Sequence, residues 1–503
     1  MVKPSIISSS HRLKGRWAQL LKAFFIPAVT VMTAVSIAQI GEFLPPSPAN
    51  FDLQFHPAQN FSDSTFFHSD PFVGGEGRVM TVNVVSDFKK SHRLIWSSAN
   101  YRGSIRITVP PINGTTDFAV RDIALYDDWN APGQLKVYVT GELPAFHVGL
   151  PVVIPFIWRN GSFEQQPLQH LLTNPQGNSP TQNNGRLTKV AQDHKGEFIT
   201  AWIAQGVSSF GEYVFRRFRA TSLPPYLEIV GPPRRLDVIT TWPNTWVVGW
   251  HDVAMNESQN VKLAVWTMPR SSWVDPFGDI KVFNSTLSAP TQGFSDEWPL
   301  TSGWANQYPI SIAMRSMDGA GKLQNMPSFD RDYAVSYVEQ DPFLPTDPTK
   351  IMVLGVGMGV TNAPFQVNVD PDQAKGAVGY PQIEAGKDYY EVVWNYLDWS
   401  GLVPRSGGTW EVLSQGLTRD LQLVNIGGNG NPGHKCINDA HENEQYIPTV
   451  SIASHPKMGV QTTCYSFASI IGPNVWLTPG NIINPDPTSS FSFTQKSRAP
   501  GSY

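Results

Sequence analysis

Cysteine is nearly absent from this chain: 503 residues contain two, Cys436 and Cys464. That excludes a small disulfide-stapled scaffold and any cysteine-rich zinc module. Charge is scarce too. Asp, Glu, Lys and Arg make up 16%, the formal net charge is −4, and no long run carries one sign. A nucleic-acid surface needs a basic stripe, so nucleic acid is not an expected partner. Short catalytic signatures are missing as well. The chain has no Gly-x-Ser-x-Gly elbow, no phosphate-binding loop and no His-Glu-x-x-His helix. Nor does it have a spaced calcium loop: Asp127-Asp128 stands alone, and Asp341 and Asp347 flank a proline-broken segment. No cofactor and no metal ion is expected.

What is plentiful points to β-structure. The chain has 41 Gly and 42 Pro, is 12% aromatic and 41% hydrophobic, which suits a turn-rich all-β protein with a large core. The clearest segment is Gly196 to Ala220. It reads as a strand ending in Trp202, a polar turn from Gln205 to Gly211, and a second strand from Glu212 to Phe218, with Leu187 to Gln192 as a preceding third strand. Both alternating faces of the middle strand are apolar: Phe198, Thr200 and Trp202 on one, Ile199, Ala201 and Ile203 on the other. Such a sheet must be covered on both sides. Looser copies recur, each with an aromatic in its strand, at Trp96, Tyr138, Trp202, Trp250, Tyr337, Trp394 and Tyr465. Several units open with a proline, at Pro233, Pro309, Pro381 and Pro448, where a strand can do without an N–H donor.

Seven irregular meanders with doubly apolar strands resemble β-propellers, in which radially stacked blades cover one another. The resemblance spans residues 78–480 and is to the superfold, with no specific family. The Gly-His and Trp-Asp marks of WD40 repeats and the paired glycines of kelch are absent, and Ser406-Gly-Gly-Thr-Trp410 lacks the Asp of a sialidase box. It implies an all-β β-propeller of seven four-stranded blades, six or eight being the alternatives. A string of β-sandwiches is the rival fold. Residues 41–77 read as an extended lead-in or stalk, about Met268 to Gln307 as an insertion, and 481–503 as a C-terminal tail.

Residues 1–40 read as a signal peptide or signal-anchor helix. Lys3, His11, Arg12, Lys14, Arg16 and Lys22 form a basic leader before the uncharged stretch Ala23 to Ile40, and Ser36-Ile37-Ala38 offers a cleavage site. The protein is therefore expected to be secreted, or a single-pass type II membrane protein whose bulk faces the lumen or the outside and which meets the membrane only through this segment. Acceptor sequences for N-linked glycans begin at Asn60, Asn113, Asn160, Asn256 and Asn284. Cys436 and Cys464 are expected to form a disulfide, which by loop entropy contributes roughly 3.5 kcal/mol. The other use of these thiols, a zinc site with His434 and His441, is the less fitting reading in an exported chain.

Three functions remain open. A binding module for a glycan or an extracellular protein would use loop aromatics, Trp273, Trp298, Trp304 and Trp399, with His251. A carbohydrate-active enzyme of glycoside-hydrolase type would use carboxylates at strand ends around a channel, with Asp252, Glu339, Asp341 and Asp398 as candidates. A structural surface protein would use neither. The repeated strand aromatics, Trp250 included, are expected to plug the spaces between blades.

Overall fold

The two-faced alternation read at residues 198–203 is what the packing uses. In the structure, a computed structural model, Phe198 and Trp202 lie in one apolar cluster with Tyr126, Tyr138 and Val153. Ile199, Ala201 and Ile203, pointing the other way, lie in a second with Val253, Leu263 and Val265. The same arrangement recurs along the chain.

The structure describes residues 47–48, 57–69, 78–87, 92–98, 100–111, 117–128, 134–145, 148–172, 184–205, 211–236, 246–269, 279–287, 295–299, 306–315, 332–340, 350–368, 377–386, 389–398, 409–424, 435–436, 445–454, 461–469, 475–478 and 482–483. Residues 1–43 and 44–503 separate as two units. The first, which holds the expected leader, lies outside the described residues, and every described strand belongs to the second. No helix among the described residues is long and apolar enough to cross a membrane.

Strand β1 (Ser47–Pro48) precedes seven antiparallel meanders. The first is β2 (Pro57–Phe67), β3 (Arg78–Asp87), β4 (His92–Ser97) and β5 (Arg102–Arg106). The second is β6 (Ala119–Tyr126), β7 (Lys136–Ala145), β8 (Val148–Arg159) and β9 (Ser162–Gln165), with β10 (Gln169–His170) also paired to β8. The third is β11 (Asn184–Gln192), β12 (Glu197–Gln205), β13 (Gly211–Ala220) and β14 (Leu227–Leu236). The fourth is β15 (Trp246–Met255), β16 (Asn260–Pro269), β17 (Asp279–Thr286) and β18 (Ser295–Pro299). The fifth is β19 (Asn306–Met314), β20 (Tyr333–Gln340), β21 (Lys350–Gly357) and β22 (Val360–Gln366). The sixth is β23 (Ala377–Ala385), β24 (Tyr389–Asp398), β25 (Thr409–Thr418) and β26 (Lys435–Cys436). The last is β27 (Gln445–Ser454), β28 (Gln461–Ser469) and β29 (Val475–Thr478), with β30 (Ile482–Ile483) on β28 and β1 on β29 as its outer strand.

These strands form six hydrogen-bonded sheets, not the seven separate blades expected. The second and third meanders share one nine-stranded sheet through a bridge between Gly149 of β8 and Gly185 of β11. Two glycines let the backbones meet there, since neither has a side chain to hold them apart. The first strand of each meander packs on the first strand of the next, β2 on β6, β11, β15, β19, β23 and β27 in turn, and β27 returns to β2. The ring is a β-propeller. The first described strand meets the last sheet, where β1 pairs with β29.

Apolar clusters fill the spaces between consecutive meanders, from Trp96, Phe118 and Trp158 between the first two to Val393, Val412, Val450 and Tyr465 between the last two. Six of the seven expected plugs are buried: Trp96, Tyr138, Trp202, Tyr337, Trp394 and Tyr465 are each at most 5% exposed. Trp250 is not. It is 41% exposed on the first strand of its meander, and Trp266 of β16 is the aromatic packed between sheets there. Trp96 also sits one strand further out than expected, on β4, directly opposite Gly103, where a Cβ would come within 2.3 Å of the indole.

The remaining differences have one cause, short or bulged strands that hydrophobic runs do not reveal. β2 falls inside the expected stalk, β17 and β18 inside the expected insertion, and β30 inside the expected tail. Every inner strand shifts register against its neighbour, for example between Val120 and Asp122, Arg186 and Lys189, Val248 and His251, and Gln307 and Ile310. Pro309, Pro381 and Pro448 sit in such shifts, where no ladder N–H is required. Pro233 instead lies on β14, an outer strand.

Candidate functional site

In β6, β11, β15 and β19 a polar side chain that follows the bulge lines the ring axis. The local sequence at these points is polar, then β-branched, then alanine: Asp122-Ile123-Ala124, Lys189-Val190-Ala191, Asp252-Val253-Ala254 and Ser311-Ile312-Ala313. The polar residue lines an axial cavity of about 150 Å³, and Asp63, Gln192, Gln382 and Glu384 line it too. The alanines pack in the apolar clusters between meanders.

Three aspartates act as ties between consecutive meanders. One oxygen of Asp122 accepts the N–H of Ile123 at 2.9 Å and the other accepts that of Val190, on the next inner strand, at 3.0 Å. Asp252 repeats this with Val253 and Ile312, both at 3.0 Å. Asp63 accepts from Ser64 and, at 2.7 Å, from Leu125, and its second oxygen also takes the Gln192 side-chain amide at 3.0 Å. Ser311 makes a longer version, accepting from Ile383 at 3.4 Å. Glu384 is bound differently, with one oxygen accepting the N–H of Ala385 at 3.0 Å.

The electrostatics follow from crowding carboxylates in a narrow space. Burial pushes Asp63 up to about 6, the N–H of Leu125 and His194 pulling the other way. Burial does the same to Asp122, also to about 6, against the pull of Lys189. Glu384 rises furthest, to about 8, first from burial and then from repulsion by Asp63, Asp252 and Asp122. Burial opposes the charge on Lys189, but Asp122 and Asp252 outweigh it and hold the ammonium above its usual value. The ammonium also sits 5.3 Å above the Phe61 ring. At neutral pH the axis thus holds the anionic Asp63 and Asp122, the Lys189 ammonium and a protonated Glu384.

No protein-family model matches the chain, and no characterised protein matches it in sequence. Solved structures similar to it include a mutant of the Aleuria aurantia lectin in complex with alpha-methyl-L-fucoside, 7% identical, covering 76% of this chain and 96% of that one with a TM-score of 0.40. The polysaccharide lyase Uly1 is 9% identical over 80% of this chain and 88% of its own, with a TM-score of 0.48. The GH93 alpha-L-arabinofuranosidase of Fusarium graminearum, in complex with arabinobiose, is 8% identical over 70% and 93%, with a TM-score of 0.38. Identity at this level carries no residue across.

Of the two carboxylates singled out in the sequence whose side chains are described, Asp252 lines the axis and Glu339 does not. Glu339 sits on β20, a quarter exposed, 3.6 Å from Lys350 of β21. Asp341 lies outside the described residues, and of Asp398 only its place as the last residue of β24 is described. The structure therefore does not bring Glu339 to Asp252. His251 is buried, 2% exposed, with its Nε2 3.2 Å from the Ala201 carbonyl oxygen, and burial lowers its pKa to about 3. Trp273, Trp304 and Trp399 lie outside the described residues, as does the side chain of Trp298 on β18.

The strand ends that bracket those tryptophans nevertheless share an edge. In an antiparallel meander the second-to-third connection and the connection to the next meander leave from the same side. Trp273 falls between β16 and β17, Trp304 between β18 and β19, Asp341 between β20 and β21, and Trp399 between β24 and β25. All begin and end on the edge where the inner strands start, the half of β15 that carries Trp250.

Two of the glycan acceptor positions are buried in the closed ring. Asn60 and Asn256 are 2% and 1% exposed; Asn256 uses its side-chain oxygen to accept from Ser258 and Asn260 within a turn. Asn160 is exposed in a turn with φ of 52°, Asn284 is half-buried on β17, and Asn113 lies outside the described residues. Cys464 is buried on β28 opposite Ser451, whereas Cys436 ends β26 and its side chain is not among those described.

Proposed function

We propose that the protein is an exported β-propeller that binds a glycan or a protein on the ring edge where the inner strands begin, and that it is not a hydrolase. The observation that carries this is how the axial aspartates are used. Glycoside hydrolysis needs two carboxyl groups free to donate a proton and to attack or activate water. Both oxygens of Asp252 and of Asp122 are occupied by backbone N–H groups. The axial cavity of about 150 Å³ is also below the size of ordinary ligand pockets, which start at roughly 300 Å³.

The exposed Trp250 favours the edge as the binding surface. A large aromatic is expensive to leave in water, and an indole face suits both sugar rings and protein partners. A glycan array on the protein, followed by incubation of each hit, tests the reading. Trp250→Ala is expected to weaken binding about 30-fold, the effect of losing an aromatic anchor of about 2 kcal/mol. Turnover of a hit, or full binding by the variant, would reverse the proposal.

A further inference from the structure

Among the described residues, six of the seven contacts around the ring are backed by an apolar cluster, and the one that closes the ring is not. Between β27 and β2 the contact is a layer of hydroxyls and amides. Ser62 Oγ lies 2.6 Å from Thr449 Oγ1, and Ser64 Oγ lies 2.7 Å from Ser451 Oγ. Asn60 Nδ2 donates to Ser466 Oγ at 3.0 Å, and its Oδ1 accepts from Asn83 Nδ2 at 2.7 Å. Each such bond contributes only about 1 kcal/mol net, because water replaces it when the seam parts. An apolar cluster has no such replacement. The seam also joins the two ends of the chain. Asn60 precedes Ser466 by 406 residues, so β2 is synthesised long before β27 and β28 exist to cover this face of it.

Asn60-Phe61-Ser62 is an acceptor sequence for an N-linked glycan. We propose that Asn60 is a modification site open only while the ring is open, so that a glycan on its amide and a closed ring exclude one another. The proposal rests on the reading of the protein as exported. In the transfer, a bond forms between Nδ2 and the sugar C1 of a lipid-linked oligosaccharide diphosphate. The C1–O bond to phosphate breaks, one Nδ2 proton is lost, and the lipid diphosphate leaves. The product keeps one N–H but carries a sugar ring where the side chain is 2% exposed and packed against Ser466 and Asn83. A close-packed seam has no space for it. Asn160, exposed in its turn, is the internal contrast, since closure does not cover it. The seam thereby directs each chain to closure or to modification, not both.

The test is production of the full chain in a glycosylating secretory host, separation of folded monomer from aggregate, and peptide mapping of both. We expect Asn160 occupied in the monomer and Asn60 empty there, with occupied Asn60 confined to aggregate. Ser62→Thr, which keeps the seam hydroxyl and strengthens the acceptor, should move chain from monomer to aggregate in proportion to its Asn60 occupancy. Folded monomer carrying a glycan on Asn60 would overturn the proposal. An empty Asn160 counts against export, and a second measurement then decides the seam alone. Asn60→Cys is labelled with a bulky maleimide in buffer and in urea, and position 60 is read by peptide mapping. Labelling is expected about 100-fold slower in the native protein, the protection given by an opening free energy of about 2.7 kcal/mol. The labelled chain should not regain native stability. Labelling at the unfolded rate with stability retained would show that the seam does not exclude a substituent.

Discussion

Glu384 is the residue whose replacement tests the electrostatics of the axis most directly. In the native ring burial and the neighbouring Asp63, Asp252 and Asp122 push its carboxyl from 4.5 up to about 8. In the unfolded chain it ionises near the usual value. Between those limits the native state holds a proton that the unfolded state has released, so stability must fall as pH rises through the window. One pKa unit is worth about 1.36 kcal/mol, which gives a ceiling of about 4 kcal/mol lost between pH 5 and pH 8, and about 3 kcal/mol after allowing for water in the cavity. Asp63 and Asp122, both raised to about 6, act in the same direction below that pH. The protein should therefore be more stable at pH 5 than at pH 8. Glu384→Gln keeps the shape and the acceptor for the Ala385 N–H while removing the titration. Its stability relative to the natural protein is expected to rise by about 3 kcal/mol between pH 5 and pH 8. Urea unfolding at half-unit pH steps measures both slopes. A natural protein whose stability climbs from pH 5 to pH 8, or a variant with an unchanged slope, would refute the reasoning.

Asp252→Ala should cost about 1–3 kcal/mol by leaving the Ile312 N–H without its acceptor, with ligand binding at the edge unchanged; unfolding and binding curves on one preparation check it. Gly103→Ala should destabilise by about 1–3 kcal/mol, because its Cβ would strike the Trp96 indole, and a thermal midpoint equal to that of the natural protein would contradict the close approach. Trp202→Ala should cost about 3–5 kcal/mol, whereas Trp250→Ala, 41% exposed, should leave stability within about 0.5 kcal/mol, as urea midpoints will show. Intact mass before and after reduction and alkylation should show Cys436 and Cys464 bonded to each other; two alkylated thiols without reductant would remove that disulfide.

Period-2 patterning was enough to establish that the chain is all-β, that its sheets are covered on both faces, and that aromatics such as Tyr138, Trp202 and Trp394 lie between them. Those are consequences of local alternation, because the face a side chain takes depends on its place in its own strand. The residues 122–124, 189–191, 252–254 and 311–313 also carried a readable signal, a polar residue before a β-branched residue and an alanine, that marks the inner strands. The rest arises only in the assembled ring. Bulges reset the alternation in every inner strand, which is why Trp250 faces out and His251 faces in. Fusion of two meanders through Gly149 and Gly185 sets the number of sheets. The axis joins Asp63, Asp122, Asp252 and Glu384 from four distant segments, and their altered acidity comes from one another's fields and from exclusion of water. Neither exists until the ring has closed, so no stretch of sequence could display it.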